Sequence, residues 1–389
     1  METDRKKHLP QIWLNGAHFI NDVYTGMLNP IMPFIAVKLG ISMAIATIVL
    51  SLSHIFSSLI QPIFGFFADN ITRRAFIFWG LLMTSIFISF APSSHSLGLL
   101  IALVIAGSMG SSIFHPQALG FSARFANIEA AQNMGYFIGL GTLGFSLGPI
   151  VSAGVTQFLG LEFMPALCIF GVSWAFLMFK FVPKISDKLI DIEHKSFKIA
   201  FKTILKNRRL NLLISISILK TLITTTCTIL MPFLWKNIGK TPFYIGVALF
   251  AFTFAGGIGS IVSRRIENYL GTARVFYISL MATFPLMIIF ALTYKEYGRV
   301  AFGIFVLTGF VTMMAMPITM VLAQSVIPEY KSIIGGFING FSWGIVALFM
   351  TGIGFLAQAK GIIPVLLFVT FVPVILAPPV IKRLFPDNN

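Results

Sequence analysis

The sequence predicts an all-α membrane protein with twelve transmembrane helices in two pseudo-symmetric six-helix bundles. Three observations carry this. Of the 389 residues, 57% are apolar and 11% are charged, whereas soluble domains carry about 25% charged residues. A water-soluble globule of this composition has too little polar surface to cover itself. The apolar residues also fall into twelve runs, most of them near the ~20 residues that cross a bilayer. Finally, landmarks of the first half return in the second: Met32-Pro33-Phe34 recurs as Met231-Pro232-Phe233 at an offset of 199.

The first run, 12–37, follows Arg5-Lys6-Lys7. It is too long for a signal peptide and no small-residue cleavage site follows it, so it reads as a retained span. The next five runs are 42–67, 74–91, 97–121, 131–158 and 163–182, of which 74–91 is short and is expected to extend at one end. The second six are 209–235, 243–263, 274–293, 299–324, 333–357 and 361–380.

Charge supports the count. With twelve spans both termini share a side with the loops near 73, 124, 184–209, 264–274 and 331. Of the 28 Lys and Arg, only Lys38, Lys236, Lys240, Lys295, Arg299 and Lys360 fall on the other side, and Lys220 falls inside a span. Cytoplasmic loops carry the excess of Lys and Arg, so both termini are expected in the cytoplasm of a bacterial inner membrane. The net charge of +15 is explained by those loops. Without a basic stripe on a soluble face, nucleic acid is set aside as a partner.

The most basic connection divides the chain into a first bundle at 1–183, a linker at 184–208 and a second bundle at 209–389. Segment 195–206 of the linker has the pattern of a basic amphipathic helix for the inner leaflet; a solvated linker is the other reading. The repeat continues beyond the first landmark. Gly135 and Gly139 match Gly336 and Gly340 at an offset of 201, and His115-Pro116 matches Met316-Pro317 at the same offset. Two six-helix halves in the same orientation, with a substrate site between them near the midplane, describe the major facilitator fold.

Polar residues within the spans locate the candidate site. Gln11, Asn15, His18, Asp22, Thr25 and Asn29 are spaced alternately by four and three, so they share one helix face. Ser217, Thr221, Thr224 and Thr228 hold the corresponding places at an offset of 199, with Lys220 beside them. Two such stripes on equivalent helices point to a shared aqueous cavity. Asp22 is the one acid deep within a span and Lys220 the one deep lysine. Intramembrane charges cost at least ~2.5 kcal/mol unless paired or wetted, so they mark pathways. A structural Asp22–Lys220 bridge and a proton or substrate role both remain open. His18 lies one turn before Asp22, within reach for a proton relay. His115 precedes Pro116, which frees a backbone carbonyl one turn earlier. With Ser108 and Ser112 on its face, His115 is assigned to the cavity.

Gating residues are read from two motifs. Gly65, Asp69, Arg73 and Arg74 follow the second span in the pattern of a cytoplasmic latch. There the Gly allows close helix approach, and the Asp pairs with a base or caps a helix. In the equivalent stretch, Gly259 to Arg274, Ser263 and Arg264 stand where the acid is expected. In the fifth span, Gly135, Gly144, Gly148-Pro149 and Ser152-Ala153 are similar to the signature of drug–proton antiporters, with Ser-Ala in place of a final Gly pair. Small residues there flatten a helix face and the Pro kinks it.

The run Gly110 to Pro116, with His18, Asn21, Asp22, Gln61 to Gly65 and Lys220, resembles the fosmidomycin resistance protein family. These are proton-driven drug exporters of the bacterial inner membrane. Relatives can carry an acid after His-Pro where this chain has Gln117, which places more of the proton transfer on Asp22 and His18. The expected function is secondary transport of a small molecule by alternating access, as proton-coupled efflux of a drug-like amphiphile. The alternative is uptake of an anionic metabolite or carboxylate-type metal chelator, with Lys220 and the histidines as the anion site. Proton coupling is assigned to Asp22, His18 and His115. Cargo binding is assigned to Asn15, Asn21, Asp22, Lys220, Thr221, Thr224, His115 and Gln117. Gating is assigned to the latch together with Gly144, Gly148 and Pro149.

Other classes are not favoured. Gly239-Lys240-Thr241 mimics the end of a phosphate loop, but Leu234 stands at the first Gly position. No His-Glu-x-x-His pattern occurs, and no loop is long enough for a catalytic domain. Cys168 and Cys227 lie singly in apolar runs. No enzyme activity, cofactor or metal is expected. The partners expected are a small-molecule substrate, protons and the bilayer, with the chain working as a monomer.

Overall fold

The computed structural model describes residues 2–61, 64, 74–125, 130–183, 197–328 and 331–386. Among these, regular structure is helical and no strand occurs. Ten segments are long and apolar enough to cross a membrane, and Met43–Leu59 adds a shorter apolar helix. The molecule is an all-α membrane protein.

The first span is a bent pair, α1 (Glu2–Gly26) and α2 (Leu28–Leu39), and starts earlier than the apolar run at 12. The bend falls at Met27, whose N–H turns back to the Tyr24 carbonyl at 3.1 Å. Pro30 has no N–H to offer the Gly26 carbonyl, so the ladder is interrupted there. Next come α3 (Met43–His54), continued by a π turn at Ile55–Leu59, and α4 (Arg74–Phe90), extended by a 3₁₀ turn at Ala91–Ser93. Then follow α5 (Leu97–Phe125) and α6 (Ala130–Phe158). A 3₁₀ segment at Leu161–Leu167 leads into α7 (Cys168–Phe181), and together they form the sixth span.

The helix α8 (Phe197–Lys206) coincides with the expected amphipathic segment. Its Ile204 is fully buried in an apolar cluster with Leu210 and Leu213, and Phe201 lies 5.3 Å from Phe337. Lys202 and Lys206 are exposed. Next is α9 (Arg208–Asn237), where the Asn207 side chain caps the N-terminus by accepting from the Leu210 N–H at 3.1 Å. The Thr241 hydroxyl caps α10 (Pro242–Leu270).

Prolines divide the next two spans. The ninth is α11 (Thr272–Met281) with α12 (Thr283–Thr293), broken ahead of Pro285. The tenth is α13 (Gly298–Met313) with α14 (Met316–Val326), broken ahead of Pro317. The Met313 carbonyl, which Pro317 leaves without its helical donor, accepts from the Ser260 hydroxyl at 3.1 Å. The eleventh span runs through α15 (Lys331–Gly336), a π turn at Phe337–Phe341 and α16 (Ser342–Lys360). The chain's last helix is α17 (Ile362–Leu384).

The contacts group into two compact units. One holds Met1–Ile41 and Leu52–His194; the other holds Ser42–Ser51 and Lys195–Asn389. Residues Ser42–Ser51 join the second unit through α16. The Ala44 N–H donates to Gln358 Oε1 at 2.9 Å, and Thr47 fills the space over Gly354. In the first unit the core is formed by side chains such as Leu14, Leu81, Phe114, Ala118 and Phe121, all fully buried.

Candidate functional site

The first unit brings one carboxylate between two imidazoles. His18 Nε2 lies 3.2 Å from Asp22 Oδ2, and His115 Nε2 lies 3.1 Å from Asp22 Oδ1. The first contact follows from helix geometry, since residues four apart face each other. The second joins α1 to α5. Asn21 Nδ2 adds a third donor, reaching Asp22 Oδ1 at 3.1 Å. The His18 and His115 rings meet edge to face, with centroids 5.2 Å apart.

The far side of each ring is fixed by backbone. His18 Nδ1 lies 2.8 Å from the Phe137 carbonyl, and His115 Nδ1 lies 2.9 Å from the Ser111 carbonyl. A carbonyl only accepts, so both Nδ1 atoms carry hydrogen and both Nε2 atoms face Asp22. Each Nε2–carboxylate contact is a hydrogen bond only while a proton lies in it. Two protons complete both contacts, with Asp22 ionised and both histidines cationic. Removing one leaves a nitrogen lone pair against a carboxylate oxygen, a repulsive contact. His115 is the ring closer to solvent, with 28% of its side chain exposed against 9% for His18. Among the described residues this is the one group of His, Cys and acidic side chains close enough to share a divalent cation, its donor atoms lying within 4.8 Å of one another. The direct contacts are those of a hydrogen-bonded trio.

The fifth-span glycines hold α1 in place. A Cβ on Gly144 would strike the Phe19 carbonyl, and one on Gly148 would strike the Val23 carbonyl. Both glycines thus let the two backbones touch. Gly135 and Gly139 face open space. Gly141, which lies between the signature positions, is covered by the His18 ring. Phe137 stacks on that ring at 4.1 Å.

The remaining first-half residues lie on the same unit. Asn15 accepts from Gln11 Nε2 at 2.9 Å, and the same nitrogen reaches Ser122 at 2.7 Å. Asn21 is fully buried and Gln117 nearly so. The serines expected beside His115 are engaged elsewhere. Ser108 pairs with Ser53 at 2.8 Å, and Ser112 donates to the Phe56 carbonyl in the π turn. Ser111 takes their place at His115. Sequence reasoning missed Ser111, Phe137 and Gly141; Ser111 lies within the Gly110 to Pro116 run, whereas Phe137 and Gly141 belong to no motif the sequence singles out.

A family model described as Major Facilitator Superfamily matches residues 14–351. The chain belongs to this superfamily. Among curated relatives, the uncharacterized MFS-type transporter YfnC of Bacillus subtilis is 25% identical over 92% of this chain and 89% of its own length. The fosmidomycin resistance protein of Escherichia coli is 24% identical over 96% of this chain and 91% of its own. Among solved structures, the nucleoside transporter NupG (D323A mutant) superposes with a TM-score of 0.75 at 13% identity, covering 97% of this chain and all of that one. A bacterial homologue of the human lysosomal transporter Spinster, inward-facing and unoccupied, gives 0.74 at 13%, covering 98% of both chains. At such identities these structures attest the fold alone.

In this superfamily member the second half carries a different polar set on the equivalent helix. On α9, Lys220 is 3% exposed. The acids of its half are Glu267, Glu296, Glu329 and Asp387. Of these, Glu267 pairs with Arg264 near the end of α10, and Glu296 lies between helices. Thr224 donates to the Lys220 carbonyl at 3.1 Å. The buried hydroxyls of Thr221 and Thr225 meet no hydrogen-bond partner among the described residues. Ser217 donates to the Ile338 carbonyl at 2.6 Å.

Of the expected gating residues, Gly65, Asp69 and Arg73 lie outside the described residues. Arg74 turns to its own half, where it donates to the Val182 carbonyl at 2.7 Å and lies over the Phe179 ring at 4.3 Å. It thereby caps the C-terminal end of α7. Pro149 lies within α6, near Gly26.

Proposed function

We propose that this protein is a proton-coupled secondary transporter in which Asp22, His18 and His115 hold the coupling protons, and that it exports a drug-like amphiphile by antiport. The observation that carries the reading is one carboxylate bridging two imidazoles whose opposite nitrogens are fixed by carbonyls. That arrangement takes up and gives up protons with a change of geometry, which a transport cycle requires. Residues 1–183 and 209–389 act as the alternating halves joined by 184–208, with both termini on the cytoplasmic side of a bacterial inner membrane. Asn15, Asn21, Asp22, His115 and Gln117 of the first half and Lys220, Thr221 and Thr224 of the second contact the cargo. The close-packed Gly144 and Gly148, the signature around Pro149 and the similarity to the fosmidomycin resistance protein all support export. Gly65, Asp69, Arg73 and Arg74 form the latch that sets the rate of cycling.

The test is flux in proteoliposomes carrying an internal pH reporter, with an outward cargo gradient. Wild-type protein should move protons against cargo. Asp22→Asn should reduce proton movement to that of protein-free vesicles while the protein still folds. Unchanged gradient-driven flux in this variant would sink the coupling role.

One observation favours a second reading. Lys220 is buried in a half whose two described acids lie away from it, which suits uptake of an anionic metabolite or carboxylate chelator. Cargo and protons moving in the same direction, with Lys220→Ala weakening anionic cargo most, would establish that reading instead.

A further inference from the structure

Away from the trio, the first unit has a crevice of about 600 Å³ at one end of its helices. Its walls are apolar: Phe87 and Phe90 from the end of α4, and Leu99 and Leu103 from the start of α5. Phe90 and Leu99 are 43% and 45% exposed. Its rim is charged, with Lys38 from the end of α2 and Glu162 from the 3₁₀ segment before α7. His95 completes the rim. Lys38, Phe90, Leu99 and Glu162 lie at or just beyond the ends of apolar helices, the level at which acyl chains give way to headgroups when such helices cross a bilayer.

The two rim charges do not neutralise each other. Among the described residues, neither Lys38 nor Glu162 forms an ion pair. Lys38 gives one N–H to the Pro92 carbonyl at 3.1 Å, leaving two of its three donors free. The Glu162 carboxylate folds back over Gly160, whose φ of 105° directs the chain into the 3₁₀ turn. An apolar slot under one separate cation and one separate anion is complementary to a lipid whose headgroup carries both signs.

We propose that this crevice binds a phospholipid with a zwitterionic, hydrogen-bonding amine headgroup, of the phosphatidylethanolamine type. The acyl chain fills the slot between Phe87 and Leu103. The phosphate sits at Lys38 and His95, and the ammonium donates to the Glu162 carboxylate. The phosphatidylglycerol headgroup satisfies Lys38 with the same phosphate but brings no cation to the Glu162 carboxylate. A trimethylated headgroup has no N–H for the carboxylate.

The experiment is native mass spectrometry of the delipidated full-length protein. It is offered equimolar phosphatidylethanolamine and phosphatidylcholine of identical chains, and separately phosphatidylethanolamine and phosphatidylglycerol. Phosphatidylethanolamine should be retained about five-fold over either competitor, the scale of one exposed ion pair. Glu162→Gln should abolish its advantage over phosphatidylcholine. Leu103→Trp should lower retention of all three lipids together by filling the slot. Equal retention of the three by wild-type protein would overturn the proposal. So would a preference for phosphatidylglycerol, or a phosphatidylethanolamine preference that survives Glu162→Gln.

Discussion

The two halves make the same backbone contact with different side chains. In the first, His18 on α1 donates to the Phe137 carbonyl on α6 at 2.8 Å. In the second, Ser217 on α9 donates to the Ile338 carbonyl at 2.6 Å. Ser217 stands 199 residues after His18 and Ile338 stands 201 after Phe137, the offsets of the sequence repeat. A hydrogen bond between the first and fifth spans thus recurs in each half at the offsets of the repeat. What differs is the chemistry attached to it. In the first half the joint is an imidazole whose other nitrogen faces Asp22, with His115 opposite. In the second, the residues equivalent to Asp22 and His115 are Thr221 and Met316, and Lys220 stands where the first half has Asn21. One joint is titratable and the other is a fixed hydrogen bond. The proposed function accordingly gives proton handling to the first half and cargo contact through Lys220 to the second.

The comparison can be broken by moving second-half residues into the first. The largest effect is expected from His115→Met, which installs the residue found at 316. It removes one of the two Nε2–carboxylate contacts, so cargo-driven proton movement should fall at least ~100-fold in proteoliposomes, the low end of the ~10²–10⁴ that a positioned acid–base group contributes. Flux at the wild-type level would mean that His18 and Asp22 suffice and that His115 is a bystander.

Gly141→Ser comes next, because Ser342 occupies the equivalent place in the second half. There the short Ser217 side chain leaves room. In the first half any Cβ at 141 enters the His18 ring. Overpacking of this kind costs ~1–3 kcal/mol, and the ring can avoid it only by leaving Phe137 or Asp22. Thermal stability should drop, and proton coupling should weaken more than cargo binding. A variant that loses stability but keeps its ratio of protons to cargo would show that Gly141 serves packing alone.

Much of this was legible in the sequence. Asp22 and His18 share a face because they are four residues apart in an apolar helix, and periodicity reveals that. The equivalence of the two polar stripes followed from a constant offset. The meeting of His115 with Asp22 was not legible, because it depends on how closely α5 approaches α1, and no spacing within one helix encodes that. The serine partner was misassigned for a related reason. Ser108, Ser111 and Ser112 all lie within one or two turns of His115, and only the packing of neighbouring helices decides which hydroxyls are taken. Ser53 takes Ser108, and Phe56 takes Ser112. The breaks at Met27 and before Pro317 were marked by prolines. The π turns at Ile55–Leu59 and Phe337–Phe341 had no proline or glycine pair to announce both of them.

The smallest expected effect comes from Ser217→Ala, and it sharpens the comparison most. The variant deletes the second-half joint without touching a titratable group. A buried hydrogen bond between membrane helices is worth ~0.6 kcal/mol on average, and the Ile338 carbonyl loses its side-chain donor. Within the π turn that carbonyl has no substitute side chain from α9, so the cost should appear as a modest fall in thermal stability. Proton-to-cargo stoichiometry should stay at the wild-type value, because the titrating trio lies in the other half. His18→Ala deletes the same joint in the first half and should lose stoichiometry as well as stability. If Ser217→Ala also changed the stoichiometry, the joints themselves would carry the coupling. The difference between the halves would then lie in how α9 and α16 move, and no longer in which half holds the protons.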